Sequence, residues 1–318
     1  MTRFHLTLAI SCLIIATGNA TAQTVGYAEA FDQFAAACGN DIDKICKKVD
    51  LGGGRVQQCL EQNQASVSAN CKATIGNLRI QLQKRAAARA AVMRICDADI
   101  RRLCAGIQPG DANLMECFSA AKRNVSARCR AAIADAGYET PVAAAPATTQ
   151  INLSSNDIVN SLQGVTSTPG ISATGLRQLA LQSLHDPSRT NPMNRAPLSE
   201  QLGSLAQFNI AIQFDFDSAR IRPESFRAVG LMADALYSPY LQGYRFLIVG
   251  HTDAKGSREY NLRLSQQRAD AIREALINPF GISPARIEAV GLGEEQLLNR
   301  SNPDAAENRR VQLINIGK

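Results

Sequence analysis

Eight cysteines between residues 38 and 129 constrain this chain more than any other feature of its sequence. They lie at positions 38, 46, 59 and 71 and again at 96, 104, 117 and 129, so both sets have spacings of 8, 13 and 12. The second set follows the first at a constant offset of 58 residues, which Asp41 and Asp99 also keep. The segment is therefore an internal duplication.

Each unit of the duplication is predicted to contain two helical segments separated by a turn, at Leu51–Gly54 and at Pro109-Gly110. Two antiparallel helices place the first cysteine beside the fourth and the second beside the third. At about 1.5 Å per residue, a spacing of 8 does not match one of 12, so one helix must begin or end inside its cysteine pair. Of the three connectivities open to four cysteines, we favour the nested pairs Cys38–Cys71, Cys46–Cys59, Cys96–Cys129 and Cys104–Cys117.

Residues 1–22 have the pattern of a secretory signal: Arg3, a largely apolar run over Leu6–Ala16, and the small residues Ala20-Thr21-Ala22. The apolar run is too short for a stable transmembrane helix, and no other stretch reaches its length, so we expect no membrane span. Cys12 lies inside this run, but Ala9 stands where a lipid-attachment motif prefers Leu. We therefore favour a signal segment over lipidation, and export favours disulfides over free thiols.

The cysteine-rich part, residues 23–137, has neither a CxxC motif nor a His, which disfavours zinc. We expect no metal and no cofactor anywhere in the chain. The cysteine pattern is similar to the cysteine-rich repeat named after a Golgi glycoprotein. That resemblance implies a small, all-α, disulfide-linked module and no particular chemistry.

The net charge of +6 is concentrated in this part, where residues 23–137 carry 16 Lys and Arg against 11 Asp and Glu. The segment between the cysteine sets, 76–95, contains no acid, and its basic residues are Arg79, Lys84, Arg85, Arg89 and Arg94. They suggest contact with an anionic envelope polymer or membrane surface, or alternatively a solvated helix face, which we favour. An exported protein is not expected to bind nucleic acid.

Residues 138–207 are dominated by Ala, Pro, Thr, Ser and Asn, as in PVAAAPATT, and are predicted to form a flexible linker. Two apolar pieces, Ile158–Leu162 and Leu176–Leu184, are long enough for short helices. Such a linker would allow the two ends of the chain to bind different partners.

Residues 208–318 alternate between strand and helix patterns. Alternating apolar positions predict a strand over Phe208–Phe216, and Pro223 begins a helix that extends to about Tyr237. A second helix is predicted over Asn261–Ile277. The further strands are predicted at Arg245–Val249, Arg286–Val290 and Arg310–Ile316. The pattern predicts an α+β domain with helices on one face of a mixed sheet.

Within that domain, the polar loop after Gly250 leads into a helix whose apolar stripe contains one arginine. Tyr260, Leu264, Ile272 and Leu276 recur at a spacing that includes Arg268. A guanidinium on a core-facing stripe needs an anion, because a buried unpaired charge is costly. Asp253, at the end of the preceding strand, is a candidate neighbour. The arrangement predicts a recessed site for a small zwitterion.

Six motifs extend this observation: FDFDSA from Phe214, RPES from Arg222, GHTDAKGSREYN from Gly250, LSQQRA from Leu264, VGLGEE from Val290 and NRRV from Asn308. Together they resemble the OmpA-like peptidoglycan-associating domain over residues 208–318. The resemblance implies a βαβαββ sandwich that holds the diaminopimelate of the peptidoglycan stem peptide. Asp253 would accept from its ammonium group, and Arg268 would hold its carboxylate by two bonds. The other residues that the resemblance places at the pocket are Asp217, Thr252, Asn261, Leu264 and Arg310.

An enzyme is the competing class, since His251-Thr252-Asp253 has acid–base groups and Ser257 or Ser265 could be imagined as nucleophiles. No GxSxG or HExxH motif accompanies them. We expect a non-catalytic periplasmic protein that binds peptidoglycan, associates with the cell wall and contributes to envelope integrity, with the outer membrane as a further candidate location. The alternative is an adaptor or secreted interaction protein whose cysteine-rich repeats carry the main activity.

Overall fold

The computed structural model describes residues 24–107, 111–138, 153–165 and 170–318. The expected signal segment 1–22, the Pro109-Gly110 turn and the PVAAAPATT stretch lie outside the described residues. Within the described ranges, no helix is both long enough and apolar enough to cross a membrane.

The duplicated segment is helical. Its helices are α1 (Tyr27–Ile45), α2 (Arg55–Gln62), α3 (Ala69–Ile95), α4 (Asp97–Leu103), α5 (Asp111–Ala120) and α6 (Ala127–Asp135). Each unit thus has three helical pieces rather than the expected two, because the chain stops and restarts between the third and fourth cysteines. Ser68 and Ser126 begin the new helices, each accepting a hydrogen bond from the backbone N–H three residues later at 3.2 Å. This restart is the helix boundary that the unequal cysteine spacings require.

The disulfides are nested within each unit, as the spacing predicts. Cys38 is bonded to Cys71 and Cys96 to Cys129, with Cα atoms 4.8 Å apart in both pairs. The inner bridges are Cys46–Cys59 and Cys104–Cys117, with Cα separations of 6.1 and 6.0 Å. The same geometry in both units follows from the duplication.

Removal of the Cys38–Cys71 bridge by paired Ser substitution is expected to cost about 3.7 kcal/mol of unfolding free energy, against about 2.9 kcal/mol for Cys46–Cys59. The difference arises because the outer bridge closes 33 residues and the inner one 13. Denaturant unfolding without reductant measures both values. Non-reducing peptide mapping is the control, and links between the two units would contradict the nested pairing.

The C-terminal part has the predicted βαβαββ order. Its elements are β1 (Gln207–Ile210), α10 (Phe226–Leu236), β2 (Phe246–His251), α11 (Arg258–Ile277), β3 (Ile287–Gly293) and β4 (Val311–Asn315). The sheet order is β1-β4-β2-β3. β2 and β3 are parallel, and β4 is antiparallel to both β1 and β2. α11 and α10 cover one face of this mixed sheet, as expected.

The first strand is shorter than predicted. It ends at Ile210 instead of Phe216, and beyond it Phe214 only forms an isolated bridge with Ile221. Phe216 is fully exposed, at 100% of its accessible surface. The chain turns back here, where Asp217 adopts a φ of 51°. The alternation of apolar residues in the sequence therefore extends beyond the hydrogen-bonded strand, and the predicted strand was too long.

The expected linker is partly wrong as a description of residues 138–207. The described parts contain α7 (Ser155–Leu162), α8 (Ala173–Leu184) and α9 (Glu200–Ser204), the first two at the apolar pieces noted above. Ile158 and Leu162 are fully buried, and Leu202 is 1% exposed. α8 and α9 cover the face of the sheet opposite α11. All six residues of β2 are buried, and a strand that is apolar on both faces needs cover on both.

The cysteine-rich module packs directly on the C-terminal part through α1 and α10. Phe31 and Tyr27 contact Phe280, with ring centroids 4.6 and 4.8 Å apart. A Cβ at Gly230 would lie 2.6 Å from the Cα of Ala28, so the two backbones approach as closely as glycine allows. The two parts therefore share one hydrophobic core, and a boundary at residue 208 would expose part of it.

Two arginines of the basic segment lie inside this interface. Arg85 is 3% exposed, donates to Asp234 at 2.9 Å and to the carbonyl of Val25 at 2.8 Å. Arg89 lies 3.6 Å from the centre of the Tyr237 ring. Both expectations for this segment, a polymer contact and a solvated face, are wrong for these two residues, because each pairs with the protein itself. Arg79, Lys84 and Arg94 remain exposed.

Candidate functional site

The candidate site lies where β2 ends and α11 begins, and glycines set the distance between these elements. A Cβ at Gly250 would lie 2.3 Å from the Ser265 carbonyl oxygen, and one at Gly291 would lie 2.0 Å from the Gln266 nitrogen. α11 therefore rests directly on the backbones of β2 and β3. This close packing holds the 252–257 loop beside the helix that carries Arg268.

Local hydrogen bonds shape that loop. The Oδ1 of Asp253 accepts from the Lys255 backbone at 3.3 Å, and Gly256 has a φ of 96°. Ser257 caps α11 by accepting from the Tyr260 N–H at 3.2 Å. Asn261 donates to the carbonyls of Asp253 and Lys255 at 3.2 and 3.0 Å and is 2% exposed. The structure thus places Asn261 beneath the loop, where it supports the loop from below.

Asp253 is only 7% exposed and is paired with Arg309. Its Oδ2 accepts from Arg309 Nη1 at 2.6 Å. The NRR motif led us to place Arg310 at this pocket, and the structure instead places Arg309 there. Consecutive residues beside a strand point to opposite faces, so Arg310 lies on the other side of the sheet. The motif identified the pair but could not distinguish its two arginines.

Arg268 is half-buried and has no carboxylate within 4 Å among the described residues. Its Nε donates to the Ser218 carbonyl at 3.0 Å, and its guanidinium lies 4.8 Å from the centre of the Phe214 ring. Burial lowers the pKa of Arg268, Arg309 adds to this, and Tyr260, Asp253 and Asp217 oppose it. The guanidinium is therefore oriented by the protein, and its terminal nitrogens have no acceptor among the residues that the structure describes.

The remaining predicted residues differ in exposure. Asp217 is exposed and accepts a short hydrogen bond from the Tyr260 hydroxyl, which raises the pKa of Tyr260. Thr252 is 3% exposed, and its Oγ1 has no hydrogen bond within the described part of the chain. Leu264 is 8% exposed and packs below the surface. Asp217 and Tyr260 thus lie at the surface of the candidate site, whereas Thr252 and Leu264 are buried.

His251 does not form an acid–base cluster with Asp253. Its Nε2 bonds to Gln312 Oε1 at 2.6 Å, and the Gln312 amide donates to Gln207 at 2.7 Å. Burial lowers the pKa of His251 well below its usual range, assisted by Arg310. The imidazole is therefore neutral near pH 7 and is hydrogen-bonded to Gln312 of the neighbouring strand β4. No group of three or more His, Cys, Asp or Glu side chains in the described ranges is arranged to hold a metal.

The candidate site lies in the part of the chain that resembles known proteins. The OmpA family matches residues 213–310. A peptidoglycan-associated lipoprotein of Mesorhizobium japonicum is 33% identical over 119 residues, which cover 34% of this chain and 69% of that protein. This chain belongs to the OmpA family. The peptidoglycan-associated lipoprotein of Pseudomonas putida is 39% identical over 102 residues, 31% of this chain, and the chain spans 59% of that relative's length.

Among solved structures, the peptidoglycan-associated lipoprotein from Burkholderia pseudomallei aligns with 39% of this chain and 98% of its own, at 34% identity and a TM-score of 0.29. The OmpA-family match includes both Asp253 and Arg268. The match begins at residue 213, well after the cysteine-rich module. The resemblance of that module to the Golgi glycoprotein repeat therefore stays a prediction.

Proposed function

We propose that the OmpA-family domain binds peptidoglycan by recognising the diaminopimelate of its stem peptide. The observation that carries the proposal is Arg268, a half-buried guanidinium without a carboxylate partner in the described residues, beside the buried carboxylate of Asp253. Relatives named peptidoglycan-associated lipoproteins support the same class of ligand.

The ligand chemistry matches the two charges. The side-chain end of diaminopimelate carries one ammonium and one carboxylate group. The carboxylate would accept from the terminal nitrogens of Arg268, whose orientation is already set by Ser218 and Phe214. The ammonium would donate to Asp253 in place of, or beside, Arg309, which is 48% exposed and free to move into solvent.

Binding without catalysis is the second part of the proposal. The two serines weighed as nucleophiles are engaged in backbone hydrogen bonds. Ser257 caps α11, and Ser265 donates to the Leu262 carbonyl at 3.0 Å and accepts from Gly293 at 2.8 Å. With His251 neutral and turned to Gln312, the site offers no activated nucleophile.

We place the protein in the periplasm, associated with the cell wall and contributing to envelope integrity. The expected signal segment and four disulfides are consistent with an oxidising compartment. Relatives named as outer membrane proteins, such as the porin F of Pseudomonas aeruginosa, support an envelope location.

A second candidate function is that of an adaptor. The cysteine-rich module is held rigidly on α10 by Arg85 and shares its core. Docked in this way, it would present Arg79, Lys84 and Arg94 to an envelope protein or an anionic polymer while the domain holds the wall.

Co-sedimentation of the full chain with purified sacculi tests the two readings. We expect binding that weakens only modestly between low and high salt, because a recessed charged pair is screened less than an open basic surface. The matched control is the double variant Lys84→Ala and Arg94→Ala, which should bind normally. Loss of binding in that variant, or loss of binding by the natural protein at about 0.5 M salt, would identify the basic surface as the part that binds sacculi.

A further inference from the structure

A polar cavity lies on the side of the sheet opposite Asp253. Its volume is about 330 Å³, at the lower end of the range for small-molecule sites. It lies between the 192–203 segment, the 294–300 loop and the edge of the sheet formed by β1 and β4. Because the 192–203 segment precedes the family match, this wall of the cavity does not come from the matched part of the chain.

Arg310 lines this cavity and is only 8% exposed. Its Nη2 donates to the Gln296 carbonyl at 3.2 Å. Its Nε and Nη1 are buried and have no hydrogen-bond partner within the described part of the chain. Burial alone lowers the pKa of Arg310 to about 10, so the group remains charged near pH 7.

Three carboxylates line the cavity: Glu294 and Glu295 are already occupied, whereas Glu200 is exposed on the 192–203 wall. Glu295 accepts from the Nε and Nη2 of Arg258, both at 2.8 Å. Glu294 accepts from Arg195 at 3.2 Å and from Asn261 at 2.6 Å. Since Arg189 also lies 4.0 Å from Glu295, three guanidinium groups neutralise two carboxylates before Arg310 is considered.

A half-buried arginine of this protein, Arg286, shows how protein carbonyls satisfy a structural guanidinium. Arg286 donates to the carbonyls of Tyr244, Leu236 and Leu241, so all three of its nitrogens have acceptors. Arg310 has one carbonyl. A buried charge with so few partners is destabilising on its own, and an oxyanion in the cavity would supply a counter-charge.

We propose that this cavity is a binding site for a small oxyanion, a carboxylate or phosphate group, with Arg310 as its main contact. Arg195 also forms part of the wall, but its guanidinium is already paired with Glu294 and Glu295. The site is separate from the one proposed for diaminopimelate and does not depend on it.

Thermal unfolding of the full chain tests the proposal with sodium phosphate, sodium acetate and sodium chloride at equal ionic strength. An oxyanion that binds only the folded state should raise Tm by roughly 2–4 °C at about ten times its Kd, whereas chloride should not. A response to phosphate alone identifies a phosphate ligand, and a response to acetate alone identifies a carboxylate. Equal Tm values in all three salts would overturn the proposal.

Variants separate this site from the other one. Arg310→Gln should lose the oxyanion response, and without an anion it should melt no lower than the natural protein, because it removes an uncompensated charge. Arg268→Ala should keep the response. A clearly lower Tm for Arg310→Gln would mean a structural arginine, and loss of muropeptide binding in that variant would merge the two sites. Either result contradicts the proposal.

Discussion

Arg268→Ala is expected to abolish binding of a diaminopimelate-containing muropeptide, lowering its affinity by about 30- to several-thousand-fold. The guanidinium meets a full ligand charge in a half-buried position, and its loss leaves the ligand carboxylate without a partner. Thermal stability should change little, since the contacts of Arg268 within the described part of the chain are the Ser218 carbonyl and the Phe214 ring. Isothermal titration beside a thermal melt measures both effects.

Arg263→Ala is the matched control, because Arg263 is exposed on the same helix and should bind normally. Arg268→Lys should also weaken binding, since an ammonium group cannot reproduce the planar two-bond contact. A stem peptide with lysine in place of diaminopimelate lacks the terminal carboxylate and should mimic Arg268→Ala. Undiminished binding of the diaminopimelate ligand by Arg268→Ala would exclude the proposed site.

Asp253→Ala should lose binding with little change in stability, for a reason that only the structure supplies. Its partner Arg309 is 48% exposed, so the released guanidinium is hydrated instead of left buried. The sequence alone allowed a purely structural Asp253–Arg268 pair. The structure instead pairs Asp253 with Arg309, which removes that reason to expect unfolding.

Asp234→Ala is expected to lower the unfolding free energy by about 3–5 kcal/mol, the largest stability effect that we predict. Asp234 accepts from Arg85 at 2.9 Å and from the backbone N–H groups of Tyr27 and Ala28 at 3.0 and 2.9 Å. It therefore caps α1, whose own N-cap, Gly26, has no side chain. The substitution leaves the buried guanidinium of Arg85 without a counter-charge and two helix N–H groups without an acceptor.

Asp32→Ala is the control for this prediction. Asp32 pairs with Arg227 across the same two helices at 3.8 Å, but the side chains are 63% and 44% exposed, so its loss should cost about 0–1 kcal/mol. Denaturant unfolding of both variants gives the comparison. Equal costs for the two substitutions would show that the buried contact does not hold the module on α10.

Local patterns in the sequence were sufficient for much of the fold. Cysteine spacing predicts the nested disulfides because two antiparallel helices bring only certain positions together. Strand and helix periodicity predicts the βαβαββ order. The position of Arg268 within an apolar helix stripe predicts that its guanidinium needs an anion. These features depend on residues a few positions apart or on a repeated spacing, so they can be recognised in the sequence without the folded structure.

Charge partners far apart in the chain were decided only by tertiary structure. Arg85 lies in a basic run that looks solvated, yet it pairs with Asp234, 149 residues away. Arg309 and Arg310 are neighbours in one motif, but their side chains lie on opposite faces of the sheet and contact different residues. The 170–205 segment has the composition of a linker, and it folds because the sheet is apolar on both faces. A sequence specifies which groups need burial or pairing, while the packing of distant segments determines which groups they meet.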